Sequence, residues 1–199
     1  MKHAVIFANP KSSSFTSSVA QAYADTTRAL GHSVVVRDLY GMNFDPCLKP
    51  GEVPSENSFG PELDVRIERT ILNDVDVFAL VYPLWLNAPP AIMKGYLERV
   101  FGFGFAYGAG GKSSAPLLTG RKLISFSSSG APLAWVQQSG AFDAVHTLFD
   151  RYFSELCGMT ALDHIHFGNV TPGASKDFVH ARLEDVRKAV TKCFGSASS

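Results

Sequence analysis

Three short polar turns hold most of the residues whose types and spacing could do chemistry. The first, Asn9-Pro10-Lys11-Ser12-Ser13-Ser14-Phe15-Thr16, offers hydroxyls and backbone N–H groups just ahead of a helical stretch. A helix start carries unpaired N–H donors and a partial positive charge, so this turn suits a phosphate. Helix capping alone explains any single serine in it. It contains neither GxGxxG nor GxxxxGK[ST], so neither a dinucleotide fingerprint nor a P-loop is indicated. The second turn, Pro83-Leu84-Trp85-Leu86-Asn87, offers free backbone groups and the flat face of Trp85 or Leu86. The third, Ser127-Ser128-Ser129-Gly130, has side chains small enough to let a polar edge approach its N–H groups.

The elements that must position these turns follow from the hydrophobic pattern. His3 to Ala8, Ser33 to Asp38, Val75 to Val81, Lys122 to Ser127 and Thr160 to Phe167 read as five strands, and the third is apolar enough to be buried on both faces. Pro83 ends that third strand because it has no N–H to give the ladder. Phe15 to Leu30, stopped at Gly31, has helical spacing, as do Leu63 to Asn73, Pro90 to Val100, Phe142 to Leu156 (stopped at Gly158) and Phe178 to Cys193. Strands alternating with helices predict one α/β domain over residues 1–199, a doubly wound five-stranded parallel sheet of order 2-1-3-4-5. Residues 39–62 read as a long loop, the glycine-rich stretch after the central helix as an aromatic loop, and 195–199 as a frayed tail. In that order, strands one, three and four are neighbours, so all three turns meet at the switch point. A phosphate site, a slot and an edge clamp together have the shape of a flavin site.

Composition narrows the classes further. Lys+Arg and Asp+Glu both number 18, which gives no electrostatic footprint for nucleic acid or an anionic membrane. No apolar run is long enough to span a bilayer. Met1-Lys2-His3 leads directly into the first strand, so no signal peptide is expected and the expected location is the cytoplasm. Cys47, Cys157 and Cys193 form no CxxC pair, consistent with thiols in a reducing compartment. His164 and His166 alternate on the fifth strand and point the same way, but two ligands without a third give no metal site. His146 falls on the apolar face of its helix, where a core histidine is the commoner role than a catalytic one. Glu98 and Arg99 read as an exposed pair or a contact between subunits.

A longer pattern adds to this. Asp38-Leu39-Tyr40-Gly41-Met42-Asn43-Phe44-Asp45-Pro46, Tyr82-Pro83-Leu84, Pro90 to Phe101 and Phe105-Ala106-Tyr107 resemble the NAD(P)H:quinone oxidoreductases of flavodoxin-like fold. The resemblance extends from the first strand to Arg182. It implies a bound flavin, FAD with FMN as the alternative, and two-electron ping-pong transfer from NAD(P)H to a quinone-like acceptor. It also implies a homodimer with active sites at the interface. On it, Ser14, Phe15 and Thr16 match pyrophosphate-binding positions, and Pro83, Leu84, Trp85, Leu86 and Asn87 match the segment along the ring. Ser127, Ser128, Ser129 and Gly130 match the residues at the ring's pyrimidine edge. Tyr107 matches a tyrosine reaching the partner's substrate pocket, and Arg182 matches a position near the flavin phosphate or adenine.

The departures matter as much. Asn9 stands where the family has a histidine in this cofactor-binding turn. Trp135 replaces a tyrosine beside the flavin and becomes, with Tyr107, a candidate for stacking in the substrate pocket. Ala141 replaces a histidine, so the family's proton-handling pair is absent. Reduction of nitro or azo compounds is therefore an alternative activity, and a flavoprotein subunit that regulates a transport system is an alternative role.

Overall fold

The computed structural model describes residues 1–55, 59–110 and 113–195. The chain runs β1 (Lys2–Phe7), α1 (Phe15–Ala29), β2 (Ser33–Asp38), α2 (Leu63–Leu72), β3 (Val77–Pro83), α3 (Ala91–Val100), β4 (Tyr107–Gly110) and β5 (Ser113–Pro116). It continues through β6 (Lys122–Ser128), α4 (Leu133–Gln138), α5 (Ala141–Val145), α6 (Phe153–Cys157), β7 (Thr160–Phe167) and α7 (Lys176–Phe194). The main sheet is parallel, in the order β2-β1-β3-β6-β7. Counting its own strands alone, that is the expected 2-1-3-4-5. Of the tail, Gly195 caps α7 by donating to the Thr191 carbonyl, and 196–199 lie outside the described residues.

Central β3 is buried at every position. Its alternate side chains feed two cores, one on each face of the sheet. Val5, Tyr23, Val81, Phe126 and Val190 pack beneath α1 and α7, while Ile6, Leu80, Met93, Tyr96 and Phe101 pack on the α3 side. α1 begins with a capping box in which Ser17 N–H donates to Ser14 Oγ (3.1 Å) and Ser14 N–H donates to Ser17 Oγ (2.9 Å).

Three features differ from the sequence-based expectation. The aromatic loop closes into a small antiparallel hairpin, because β4 pairs with β5. The fourth helix is α5 and α6 joined by His146–Tyr152, which is wound as a π-helix. Such π-helical winding concentrates at functional sites. Arg99 is not a surface residue: it is about 1% exposed. Its guanidinium forks onto both oxygens of Glu52 (2.8 and 2.8 Å) and both of Asp64 (2.8 and 3.0 Å), and donates to the Asp45 carbonyl (2.6 Å). The loop that the sequence leaves without periodicity is thus tied to α3 through one buried cation. Glu98 stays exposed and pairs with Lys94.

Removing one partner of a buried ion pair strands the other charge, a cost of about 3–5 kcal/mol. Arg99→Met is expected to lose stability on that scale in urea unfolding. It should also open residues 45–52 to limited proteolysis.

His3 gives a pH dependence. Its ring is fully buried between Tyr23 Oη (2.8 Å) and His32 Nδ1 (3.1 Å). Burial first, then the neighbouring His32, pull its pKa down to about 4. Because the folded state resists protonation, stability is complete above the unfolded value near 6.5 and falls as pH drops toward 4, by about 3 kcal/mol for this group. Melting curves should show that fall, and His3→Gln should flatten it.

Candidate functional site

The three turns do converge. Leu84 N–H donates to the Ser128 carbonyl (2.7 Å), Ala8 N–H to the Val81 carbonyl (3.1 Å) and Ser129 N–H to the Phe167 carbonyl (3.0 Å). Tyr82 and Pro83 lie in register with Ser127 and Ser128. Phe15 and Thr16 of α1 line a narrow crevice with Val81, Tyr82, Ser127 and Ser128. One short edge of the sheet therefore carries all three.

Their chemistry is uneven. Ser14 Oγ is committed to the helix cap, so capping is its observed role. The N–H groups of Phe15 and Thr16 precede the first helical hydrogen bond and remain available to an anion. Asn9 donates to Thr16 Oγ1 (3.1 Å) and accepts from Lys11 N–H (3.0 Å), which fixes the turn's shape. In the second turn, Trp85 and Ala88 exchange N–H···O bonds of 3.0 and 3.1 Å around Leu86 and Asn87. Both central residues are left-handed (φ 52° and 57°), which for Leu86 is strained backbone. Leu86 is fully exposed and Trp85 half exposed. In the third turn, the Ser129 N–H is already used. A Cβ at Gly130 would meet nothing closer than the Val170 carbonyl at 3.9 Å, so internal packing does not require the glycine. The open space it leaves fits an approaching ring edge.

Trp135 sits on α4 with about half its surface exposed. Arg182 lies within α7, paired with Asp185 (3.2 Å) and over the Phe178 ring (5.8 Å). Tyr107 is not at the turns. It faces a separate apolar cavity of about 360 Å³, between α3 and the π-helical segment, with Phe103 and Tyr152.

Beneath the third turn lies a buried polar chain that periodicity alone does not reveal. Ser129 Oγ donates to the Ala131 carbonyl (3.1 Å), so it accepts from His166 Nε2 (2.9 Å). Burial, then the adjacent His164, lower the His166 pKa to about 4, and the neutral ring accepts at Nδ1 from Ser127 Oγ (2.8 Å). With its single proton spent, Ser127 Oγ accepts from His164 Nε2 (2.6 Å). His164 Nδ1 then faces Asp150 Oδ2 (2.6 Å), which also bonds His146 Nδ1 (3.0 Å), while Ser125 donates to Asp150 Oδ1 (2.6 Å). The Tyr82 phenol, raised well above its usual pKa by burial and by Asp150, has no well-formed hydrogen bond. His164 and His166 do share a face, as their alternation implies. His146 is exposed rather than in the core: it opens the π-helical stretch, and its ring reaches Asp150 at the edge of a cavity. The i, i+4 spacing of His146 and Asp150 was the available signal.

The model of the family described as flavodoxin-like fold matches residues 1–190. The chain belongs to this flavodoxin-like family. A curated relative from Haemophilus influenzae, named an uncharacterized NAD(P)H oxidoreductase, is 34% identical over 172 residues, 85% of each chain. The structure of an NAD(P)H:quinone oxidoreductase from Methanothermobacter marburgensis superposes with a TM-score of 0.85 at 24% identity, covering 97% of this chain and 96% of the other. An FMN-dependent NADH-azoreductase from Bacillus anthracis, in complex with FMN, gives 0.71 at 15% identity over 97% and 99%. These structural likenesses establish the shared flavodoxin-like architecture, in which the three turns occupy the carboxyl edge of the sheet. Among the described residues, no helix is long and apolar enough to cross a membrane.

Leu86→Gly tests the strain. Relief of a left-handed leucine, about 1–2 kcal/mol, outweighs the extra backbone entropy of glycine, about 0.5–1 kcal/mol. The variant should melt slightly higher than the parent.

Proposed function

We propose that this chain is a flavin-dependent NAD(P)H oxidoreductase that passes two electrons to a quinone or related acceptor. The observation that carries this reading is the meeting of three turns on one sheet edge. One has free helix-start N–H groups, one a strained exposed backbone, and one a glycine with open space beside it. Membership of the flavodoxin-like family and the name of the Haemophilus influenzae relative support it.

A flavin bound there supplies the hydride chemistry. The N–H groups of Phe15 and Thr16 hold its phosphate, with Asn9 shaping the turn. Residues 83–87 lie along the ring, with Trp85 as a flat wall, and Ser128 to Gly130 meet its polar edge. FAD is the expected form, with the Arg99-tied loop as the element that could enclose an adenine; FMN is the other outcome. Because donor and acceptor need the same open ring face, they bind in turn.

Tyr107 is remote from the turns of its own chain. Its apolar cavity, bordered by exposed Leu148 and Tyr152, favours a homodimer in which that face meets a second copy. Tyr107 then serves the partner's site, and Trp135 its own.

Purified protein should be yellow, release FAD on heating, and oxidise NADH or NADPH much faster with a quinone than with oxygen alone. Initial-rate plots should show the parallel lines of alternate binding. Trp85→Ala should raise KM for the acceptor with little loss of fold. Colourless protein that binds neither flavin would overturn the reading.

A further inference from the structure

Asp150 is about 2% exposed, and the ion pairs found for it are with imidazoles, not with lysine or arginine. A buried carboxylate needs positive charge beside it. The neighbouring groups are arranged to direct a cation there. Ser127 holds the Nε2 side of His164, so Nδ1 is the nitrogen turned toward Asp150. That is how metal-binding histidines are usually fixed: the outer nitrogen donates to a neighbour and the inner lone pair faces the ion. Ser125 does the same for the carboxylate, bonding Oδ1 and leaving Oδ2 between the two imidazoles. His146 Nδ1 completes the set, and the three ligand atoms lie within 4.8 Å of one another.

We propose that His146, Asp150 and His164 form a binding site for a divalent transition metal, with Zn²⁺ the best match. Two imidazole nitrogens and one carboxylate oxygen suit zinc, whereas Mg²⁺ and Ca²⁺ favour all-oxygen sets. Three protein ligands leave a fourth position for water. Room for it exists, because His146 and His164 also line a cavity of about 560 Å³ whose wall carries Glu155 and Asp163. Oδ2 now sits at hydrogen-bond distance from both nitrogens, 2.6 and 3.0 Å. Zinc bonds of about 2.0–2.1 Å require those gaps to widen by less than roughly an ångström. Rotation of the half-exposed His146 side chain opens the 3.0 Å gap, and a shift of a few tenths of an ångström between His164 and Asp150 opens the other. The site is joined to the third turn through Ser127, but zinc binding there can be measured whether or not a flavin is held.

The test is calorimetric titration of the full-length protein, with the flavin it retains, after chelator treatment. Zn²⁺ alone is expected to bind at one ion per chain and to raise the melting temperature, whereas Mg²⁺ should give neither effect. His146→Ala, which removes a half-exposed ligand and leaves the buried pair intact, should weaken Zn²⁺ binding by about 100-fold or more. Asp150→Asn should abolish it. If Asp150→Asn fails to fold, His146→Ala decides alone. The proposal is overturned if the parent protein binds no stoichiometric zinc. It is equally overturned if His146→Ala binds zinc as tightly as the parent, or if Mg²⁺ binds equally well.

Discussion

A parallel strand buried on both faces must satisfy its last backbone groups where it leaves the sheet, and β3 sets that constraint for the whole molecule. Every β3 residue is buried, and Pro83 withholds an N–H at its end. The chain answers by lending Leu84 N–H to the Ser128 carbonyl and folding 85–88 into a two-residue turn before α3 can start. Neighbouring β1 and β6 end within two residues of each other along β3, opposite Val81 and Pro83, so their turns leave the same edge of the sheet. Convergence of the candidate site is thus a by-product of how the central strand is terminated.

The opposite side of α3 is governed by close approach. A Cβ at Gly95 would fall 2.2 Å from the Pro46 carbonyl, so the loop lies directly on the helix backbone. Arg99, one turn on, supplies the charge that holds the same loop through Glu52 and the start of α2 through Asp64. Glu68 plays a smaller version of this part, accepting from Tyr96 (2.9 Å) and pairing with Arg37. A long segment without periodicity can still be ordered when polar groups inside the fold replace the missing hydrophobic face.

What was legible in the sequence follows from which signals are local. Strand runs, glycine stops and polar turns are encoded in adjacent residues, and from them the sheet order and the three turns emerge. Ser14 was open to two readings, and the capping box shows which its hydroxyl serves. The burial of Arg99 has no local signal, because its partners lie 35 and 47 residues away in the chain, beyond any helical pattern. The hairpin of β4 and β5 was masked by glycine and serine, which carry little strand preference. The Asp150 cluster joins a helical pair to His164 on β7, 14 residues away, so helical spacing reveals only its His146–Asp150 half.

The π-helical winding of His146–Tyr152 has a consequence for chain length. A π-helical stretch houses more residues per turn than an α-helix spanning the same distance. Loss of a single residue between Gly140 and Gly158 could be absorbed by reversion to ordinary winding, leaving the sheet and both cores intact. The two sides of the deletion would then turn by about 100° relative to each other around the helix axis, and the His146–Asp150 pair survives only where the loss falls outside 146–150. In this segment the number of residues, as much as their identity, is under physical constraint.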